Sequence, residues 1–132
     1  MIFFRGIFLP KVRRAGAWLF WPALAVVAWG ELTPHLPKVA ALLWDKAEHF
    51  IAYFGLALLA SLGWGLRRSL VFVFAAVVGL GGALEILQSF VGRDAEWGDF
   101  FANTLGALAG LVLAVVYLSI PRHRLVAGLA PD

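Results

Sequence analysis

Apolar residues gather into four long segments along the chain, and polar residues collect in the links between them. The segments cover about residues 15–30, 46–66, 69–91 and 98–120. A helix that crosses the hydrocarbon core of a bilayer takes about 20 residues, and only the first segment is near the lower limit. Helices are the expected form because lipid offers backbone groups no other hydrogen-bond partner. The pattern predicts an all-α polytopic membrane protein, folded as a four-helix transmembrane bundle.

The segments divide the chain into three parts. We expect residues 1–14 to be a cytoplasmic or interfacial N-terminal segment, residues 15–120 to be the membrane domain and residues 121–132 to be a cytoplasmic tail. A basic start followed by an apolar run is also typical of a signal peptide. No small-x-small cleavage pattern follows Val27, and three more apolar segments come later. We therefore expect the first span to be retained.

Composition supports a lipid environment and excludes some chemistry. Apolar residues make up 62% of the chain and charged residues only 14%, which suits lipid better than water as the solvent. The chain has no cysteine, so disulfides, zinc–thiolate sites and thiol catalysis are excluded. The net charge is +3, but the basic residues stand in short groups beside apolar segments. That placement favours anionic lipid headgroups over nucleic acid as the partner.

Charged residues separate toward opposite ends of the predicted bundle. Eight of the eleven Lys and Arg residues lie on one side of a four-span arrangement: Arg5, Lys11, Arg13, Arg14, Arg67, Arg68, Arg122 and Arg124. Such an excess marks the cytoplasmic side, so we expect a bacterial inner-membrane protein with both termini in the cytoplasm. Seven of the eight acidic residues lie at the outer end: Glu31, Asp45, Glu48, Glu85, Asp94, Glu96 and Asp99.

Polar residues of three segments fall at one depth near the outer end. Asp45 and His49 begin the second segment; Glu85 and Gln88 are near the end of the third; Asp99 and Asn103 begin the fourth. Two stripes have the same 4-3-4 spacing: Gly81, Glu85, Gln88 and Gly92, and Asp99, Asn103, Gly106 and Gly110. Polar side chains avoid lipid, and glycines let helices approach closely. The spacing predicts that three helices share a recess that opens away from the cytosol.

Each of these residues also has a structural interpretation. Asp45 and Asp99 could be first-turn acids that favour the positive end of a helix. Glu85 could form an ion pair, and the amides of Gln88 and Asn103 could join helices by hydrogen bonds. Glu48 is expected to be a solvated neighbour. The coincidence of three segments at one level favours a site.

Three motifs resemble those of the VanZ-like family of small bacterial membrane proteins. They are Asp45-Lys46-x-x-His49-Phe50-x-x-Tyr53, Glu85-x-x-Gln88-x-Phe90, and Gly92-Arg93-x5-Asp99-x3-Asn103-x-x-Gly106. The resemblance covers about residues 31–118, and one departure is that no proline precedes the Gly-Arg pair. It implies a membrane protein with about four spans. It also implies a link to resistance to the glycopeptide antibiotic teicoplanin, for which the family is named.

Two functions from different classes remain open, with a transporter as a third. The first is a protein that binds an envelope lipid headgroup, a glycopeptide-related ligand or a partner protein. Its ligand-binding residues would be Asp45, Lys46, His49, Tyr53, Glu85, Gln88, Arg93, Asp99 and Asn103. The second is an intramembrane enzyme acting on a lipid-linked envelope substrate. Its acid–base or metal-binding groups would be Asp45, His49, Glu85 and Asp99. The cofactor stays unknown, and lipid-facing glycine pairs are equally compatible with a homo-oligomer.

Overall fold

The computed structural model describes residues 8–34, 42–65 and 70–119, which form a bundle of four α-helices without a strand. The helices are α1 (Phe8–Leu32), α2 (Leu42–Trp64), α3 (Leu70–Gln88) and α4 (Trp97–Ser119). All four are long and apolar enough to cross a membrane. The predicted all-α fold and the class of multi-pass membrane protein are confirmed.

The boundaries of α1 differ from those of the first predicted segment. The helix begins at Phe8 and continues through Pro22 to Leu32, so it is longer at both ends than residues 15–30. Thr33 ends it by directing both its backbone N–H and its hydroxyl to the carbonyl oxygen of Trp29, at 3.0 and 2.6 Å. The predicted tail, residues 121–132, lies outside the described residues, as do the first seven residues of the N-terminal segment.

α3 ends three residues earlier than the predicted segment, which places Glu85 closer to the end of its helix. Gly92 follows the last turn with a φ of 78°, a left-handed conformation that typically ends a helix. The N–H groups of Val91 and Arg93 both donate to the carbonyl oxygen of Gln88, at 3.1 Å. Glu85 therefore lies only about 4.5 Å below the end of the helix, at about 1.5 Å per residue.

α2 is the central helix, since it packs against each of the other three. Its residues Tyr53, Leu56, Ala57 and Ala60 are buried among residues of α3 and α4. The side chains of large apolar residues on the outer faces of all four helices are exposed; examples are Trp18, Ile51, Val71, Phe101 and Val112. An exposed apolar surface on every side is the surface that lipid requires.

Contacts along the helices give their relative directions. The first turns of α1 approach the end of α2, where Gly16 and Gly63 leave no room for a Cβ. The first turns of α2 and α4 lie side by side, because Lys46 bonds to Asp99 and Phe50 contacts Gly106. α1 and α2 are therefore antiparallel, and α2 and α4 are parallel. One end of the bundle thus combines the end of α1 with the beginnings of α2 and α4.

Candidate ligand-binding site

Polar side chains from all four helices meet at this end of the bundle. We call them the polar cluster: Glu31 from α1; Asp45, Lys46, His49 and Tyr53 from α2; Glu85 from α3; Asp99 and Asn103 from α4. All except Lys46 are buried. Burial of so many ionisable and amide groups in an apolar bundle is costly unless they pair with one another or with a ligand.

His49 lies at the centre of the polar cluster and is 5% exposed. Its Nδ1 is 3.0 Å from Oδ1 of Asn103, 3.6 Å from Oε1 of Glu31 and 3.9 Å from Oε1 of Glu85. Its Nε2 is 3.8 Å from Oδ2 of Asp99. One imidazole ring therefore faces groups from α1, α3 and α4. The carboxylates that approach it lie beyond hydrogen-bond length, which leaves space between the charged groups.

Lys46 holds the outer edge of the polar cluster together. Its ammonium group donates to Oδ1 of Asp99 at 2.8 Å and to Oε2 of Glu96 at 3.0 Å. Gly98 makes room for this arrangement, because a Cβ at that position would be 2.7 Å from the Lys46 ammonium group and would displace it. Both bonds of the lysine are thus to carboxylates of the protein, so it is a weaker candidate for contact with a ligand than the sequence indicated.

Arg93 connects the α3–α4 link to the end of α1. Its Nη1 donates to the carbonyl oxygens of Gly30 and Glu31, at 3.0 and 2.9 Å. These carbonyls belong to the last turn of α1, where carbonyl oxygens have no hydrogen-bond partner within the helix. A guanidinium carries five N–H donors, so the group can still contact an acceptor of a ligand.

Glu31 and Glu85 are each bonded through one oxygen only. The Tyr53 hydroxyl donates to Oε2 of Glu31 at 3.3 Å, and the backbone N–H of Glu96 donates to Oε2 of Glu85 at the same distance. The other oxygens, Oε1 of both residues, are buried and have no hydrogen-bond partner within the described part of the chain. Gln88 is fully buried, and its two polar atoms have no such partner either. Buried groups of this kind are ones that a bound ligand, ion or water can satisfy.

A cavity of about 340 Å³ opens beside the polar cluster, within the range of ligand sites. Its polar wall is formed by Glu31, Asp45, Glu48, His49 and Arg93. Its apolar wall is formed by Val26, Val27 and Ala52. The same three apolar residues also line a second cavity of about 530 Å³, an apolar groove between α1 and α2. A polar recess and an apolar groove are therefore continuous.

Most of the site residues proposed from the sequence come together. Asp45, Lys46, His49, Tyr53, Glu85, Asp99 and Asn103 belong to the polar cluster, and Arg93 lines the cavity. Gln88 is buried one turn beyond Glu85, but no side-chain hydrogen bond joins it to the others within the described residues. Glu48 is exposed, as expected for a solvated neighbour, and it lies at the cavity wall.

Sequence reasoning missed the contribution of α1. Glu31 was placed in a link after the first segment, whereas α1 continues to Leu32. A signal was present: Phe20, Leu24, Val27 and Glu31 have the 4-3-4 spacing of the other two polar stripes, and the first three pack against the core. Glu96 was missed as well, since its bonds to Lys46 and Glu85 depend on the path of the link before α4.

The fold and the site together define a four-span membrane protein with a buried polar cluster at one end. The VanZ/LLP1 family profile matches residues 3–118, which is most of the chain, and the protein belongs to that family. The resemblance inferred from the three motifs is thereby confirmed, and the match extends through α1 as well. No curated protein and no solved structure matches the chain.

Proposed function

We propose that this VanZ/LLP1 protein binds the headgroup of an envelope lipid at the outer leaflet of the bacterial inner membrane. The observation that carries the proposal is the continuity of the polar cavity with the apolar groove between α1 and α2, through Val26, Val27 and Ala52. A lipid has the same division, with a polar headgroup joined to an apolar chain. The headgroup would occupy the recess and one acyl chain would lie in the groove.

The chemistry of the recess indicates which headgroup fits. Glu31, Asp45 and Glu48 present carboxylates, which suit a ligand that donates hydrogen bonds, such as an ammonium or a hydroxyl group. Arg93 lies on the same wall and suits a phosphate. A zwitterionic aminophospholipid, or a lipid whose phosphate carries a hydroxylated or amine-bearing group, satisfies both. The acyl chains of all membrane lipids are as apolar as the groove, so the groove would not distinguish between lipids. Selectivity among lipids would come from the headgroup.

The orientation is part of the proposal. The basic residues flanking the other end of the bundle favour a cytoplasmic location for that end, and four spans place both termini on that side.

Because the protein has no cysteine, a single introduced cysteine reports the accessibility of each end separately. Asp94→Cys, in the exposed link before α4, is expected to react with a membrane-impermeant maleimide on intact cells. Ser119→Cys, at the far end of α4, is expected to react only after the cells are opened. The reverse result would place the recess in the cytosolic leaflet.

A blocked groove is expected to reduce lipid binding. A Cβ built at Gly55 meets nothing within 4 Å, so Gly55→Leu is tolerated by the fold but fills the groove. Because the leucine side chain then excludes the acyl chain of the lipid from the groove, the headgroup of that lipid cannot reach the recess. We expect about a tenfold loss of co-purified lipid, equivalent to ~1.4 kcal/mol of binding free energy. Native mass spectrometry of the protein in mild detergent measures the occupancy.

Gly79→Leu is the matched control for this variant. Gly79 is also a helical glycine with nothing near its Cβ, but it lies on the exposed face of α3, away from the groove. Lipid occupancy is expected to match wild type. Equal occupancy in Gly55→Leu and wild type would contradict lipid binding in the groove.

We also propose that lipid binding underlies a teicoplanin-resistance phenotype. In that case Gly55→Leu should lower the resistance of an expressing strain, and Gly79→Leu should not.

A second candidate function is an intramembrane enzyme that acts on a lipid-linked envelope substrate. The observation that favours it is the position of His49 among the carboxylates of Glu31, Glu85 and Asp99, next to a cavity that would hold the headgroup. An imidazole held between carboxylates is an arrangement that can transfer a proton to or from a bound group. Turnover of a radiolabelled envelope lipid by purified protein, abolished in His49→Ala, would favour this function over binding alone.

A further inference from the structure

Three buried side chains of the polar cluster present atoms that can ligate a metal. They are Asp45 and His49, one turn apart on α2, and Asp99 on α4. One carboxylate oxygen or ring nitrogen from each lies within 4.8 Å of the others. The donor set is one imidazole nitrogen and two carboxylates, which together offer two negative charges around one point.

The surroundings of His49 determine which ring nitrogen faces this point. Its Nδ1 is approached by three oxygens, from Asn103, Glu31 and Glu85, at 3.0 to 3.9 Å. A neutral imidazole with its proton on Nδ1 would donate to Oδ1 of Asn103, which can only accept. The lone pair of Nε2 then faces Oδ2 of Asp99 at 3.8 Å. Two acceptors that face each other across a buried gap suit a cation or a proton between them.

Unpartnered oxygens on the Nδ1 side of the same histidine add negative charge next to this point. Glu31 and Glu85 are 7% and 6% exposed, and Oε1 of each approaches His49 without a hydrogen-bond partner in the described residues. Lys46 supplies a positive charge only at the outer edge, where it is bound to Oδ1 of Asp99 and to Glu96. The interior of the polar cluster thus has two buried carboxylate oxygens, Oε1 of Glu31 and Oε1 of Glu85, without a hydrogen-bond donor in the described residues.

We propose that Asp45, His49 and Asp99 bind one divalent transition-metal ion, of the kind represented by Zn²⁺ and Mn²⁺. An imidazole ligand favours such ions over Mg²⁺ and Ca²⁺, which prefer oxygen ligands throughout. Nitrogen and oxygen ligands lie about 2.0–2.2 Å from Zn²⁺, so neighbouring ligand atoms are about 3.4 Å apart in a tetrahedral site. The 3.8 Å between Nε2 of His49 and Oδ2 of Asp99 needs only a small closure.

Neighbouring residues hold two of these ligands in position. Asn103 accepts from Nδ1 of His49, and Lys46 donates to Oδ1 of Asp99. Such partners orient metal ligands in many proteins. Three protein ligands leave a coordination position open. Asp45 and His49 also line the polar cavity, so that position faces the space where a headgroup would lie. The inference goes beyond lipid binding, because either the ion or the lipid can bind without the other.

The test is metal binding by the full chain, purified in mild detergent and stripped with a chelator. After equilibration with micromolar Zn²⁺ or Mn²⁺ and removal of free ions, elemental analysis should give one ion per chain. Asp45→Asn and Asp99→Asn are each expected to weaken binding at least tenfold. Asp94→Asn is the matched control: it makes the same change at an exposed carboxylate in the link before α4, outside the cavity, and should bind like wild type.

A spectroscopic measurement keeps the test independent of the variants. X-ray absorption of the Zn²⁺-loaded wild-type protein should show scattering from one imidazole ring bound to the ion. Binding of less than one ion in ten chains, an all-oxygen coordination sphere, or equal weakening by Asp94→Asn and Asp99→Asn would each overturn the proposal. Lipid occupancy in the same stripped sample, read by native mass spectrometry, reports separately on the proposed function.

Discussion

Gly106→Ala combined with Gly110→Ala is expected to separate α2 from α4 and to destabilise the protein by ~2–6 kcal/mol, at ~1–3 kcal/mol for each overpacked site. A Cβ at Gly106 would overlap the carbonyl oxygen of Phe50, and one at Gly110 would overlap that of Phe54. Backbone cannot move aside as a flexible side chain can, so the helices must move apart. Unfolding of the purified protein by heat in detergent measures the change.

Gly79→Ala is the control for this prediction. Its Cβ meets nothing within 4 Å, so alanine should leave stability unchanged or raise it slightly, since alanine favours helix over glycine by ~1 kcal/mol. If alanine lowers stability at Gly106 and Gly110 but not at Gly79, close approach of the helices, rather than helix propensity, explains why glycine stands at Gly106 and Gly110. A double variant as stable as Gly79→Ala would contradict the described packing of α2 on α4.

Lys46→Met is expected to be the most damaging single change in the polar cluster. Methionine keeps most of the apolar stem but leaves Asp99, which is 2% exposed, without its charged partner. Breaking a buried ion pair costs ~3–5 kcal/mol. The Lys46 side chain is 29% exposed, so partial solvation reduces the expected loss to ~2–3 kcal/mol. Thermal unfolding, compared with wild type at equal detergent concentration, tests it.

Two further variants separate loss of the ion pair from loss of packing. Asp99→Asn added to Lys46→Met removes the unpaired charge and should recover part of the lost stability. Glu96→Gln alone weakens the other bond of Lys46, and its effect should be smaller because the Glu96 side chain is 37% exposed. If the double variant is no more stable than Lys46→Met, the buried carboxylate of Asp99 is not what the lysine stabilises.

The fold was predictable because its determinants are local. Four apolar segments of sufficient length give four spans, and short links between them require consecutive helices to be antiparallel. Helix ends were less predictable. Gly92 ends α3 early through its left-handed conformation, and Thr33 ends α1 late by bonding to Trp29. Both depend on backbone bonds within a single turn, which periodicity does not record.

The candidate site was predictable where helical spacing alone brings residues together. Asp99, Asn103, Gly106 and Gly110 are all buried on α4, as their spacing indicated. The partners of Lys46 and Arg93 were not predictable, since they depend on how the links fold over the bundle. Arg93 bonds to α1, 62 residues away, and no pattern in the sequence joins the two. For this reason the contacts of Lys46 and Arg93 differ most from what the sequence predicts.

The central claim is that polar groups from four helices surround one recess that receives a lipid headgroup. A high-resolution structure of the protein in lipid nanodiscs tests it most directly. The account predicts headgroup density between Glu31, His49 and Arg93, continuous with an acyl chain beside Gly55. It would be contradicted by a filled lipid shell elsewhere with this recess empty, or by Glu31, His49 and Asp99 facing separate surroundings.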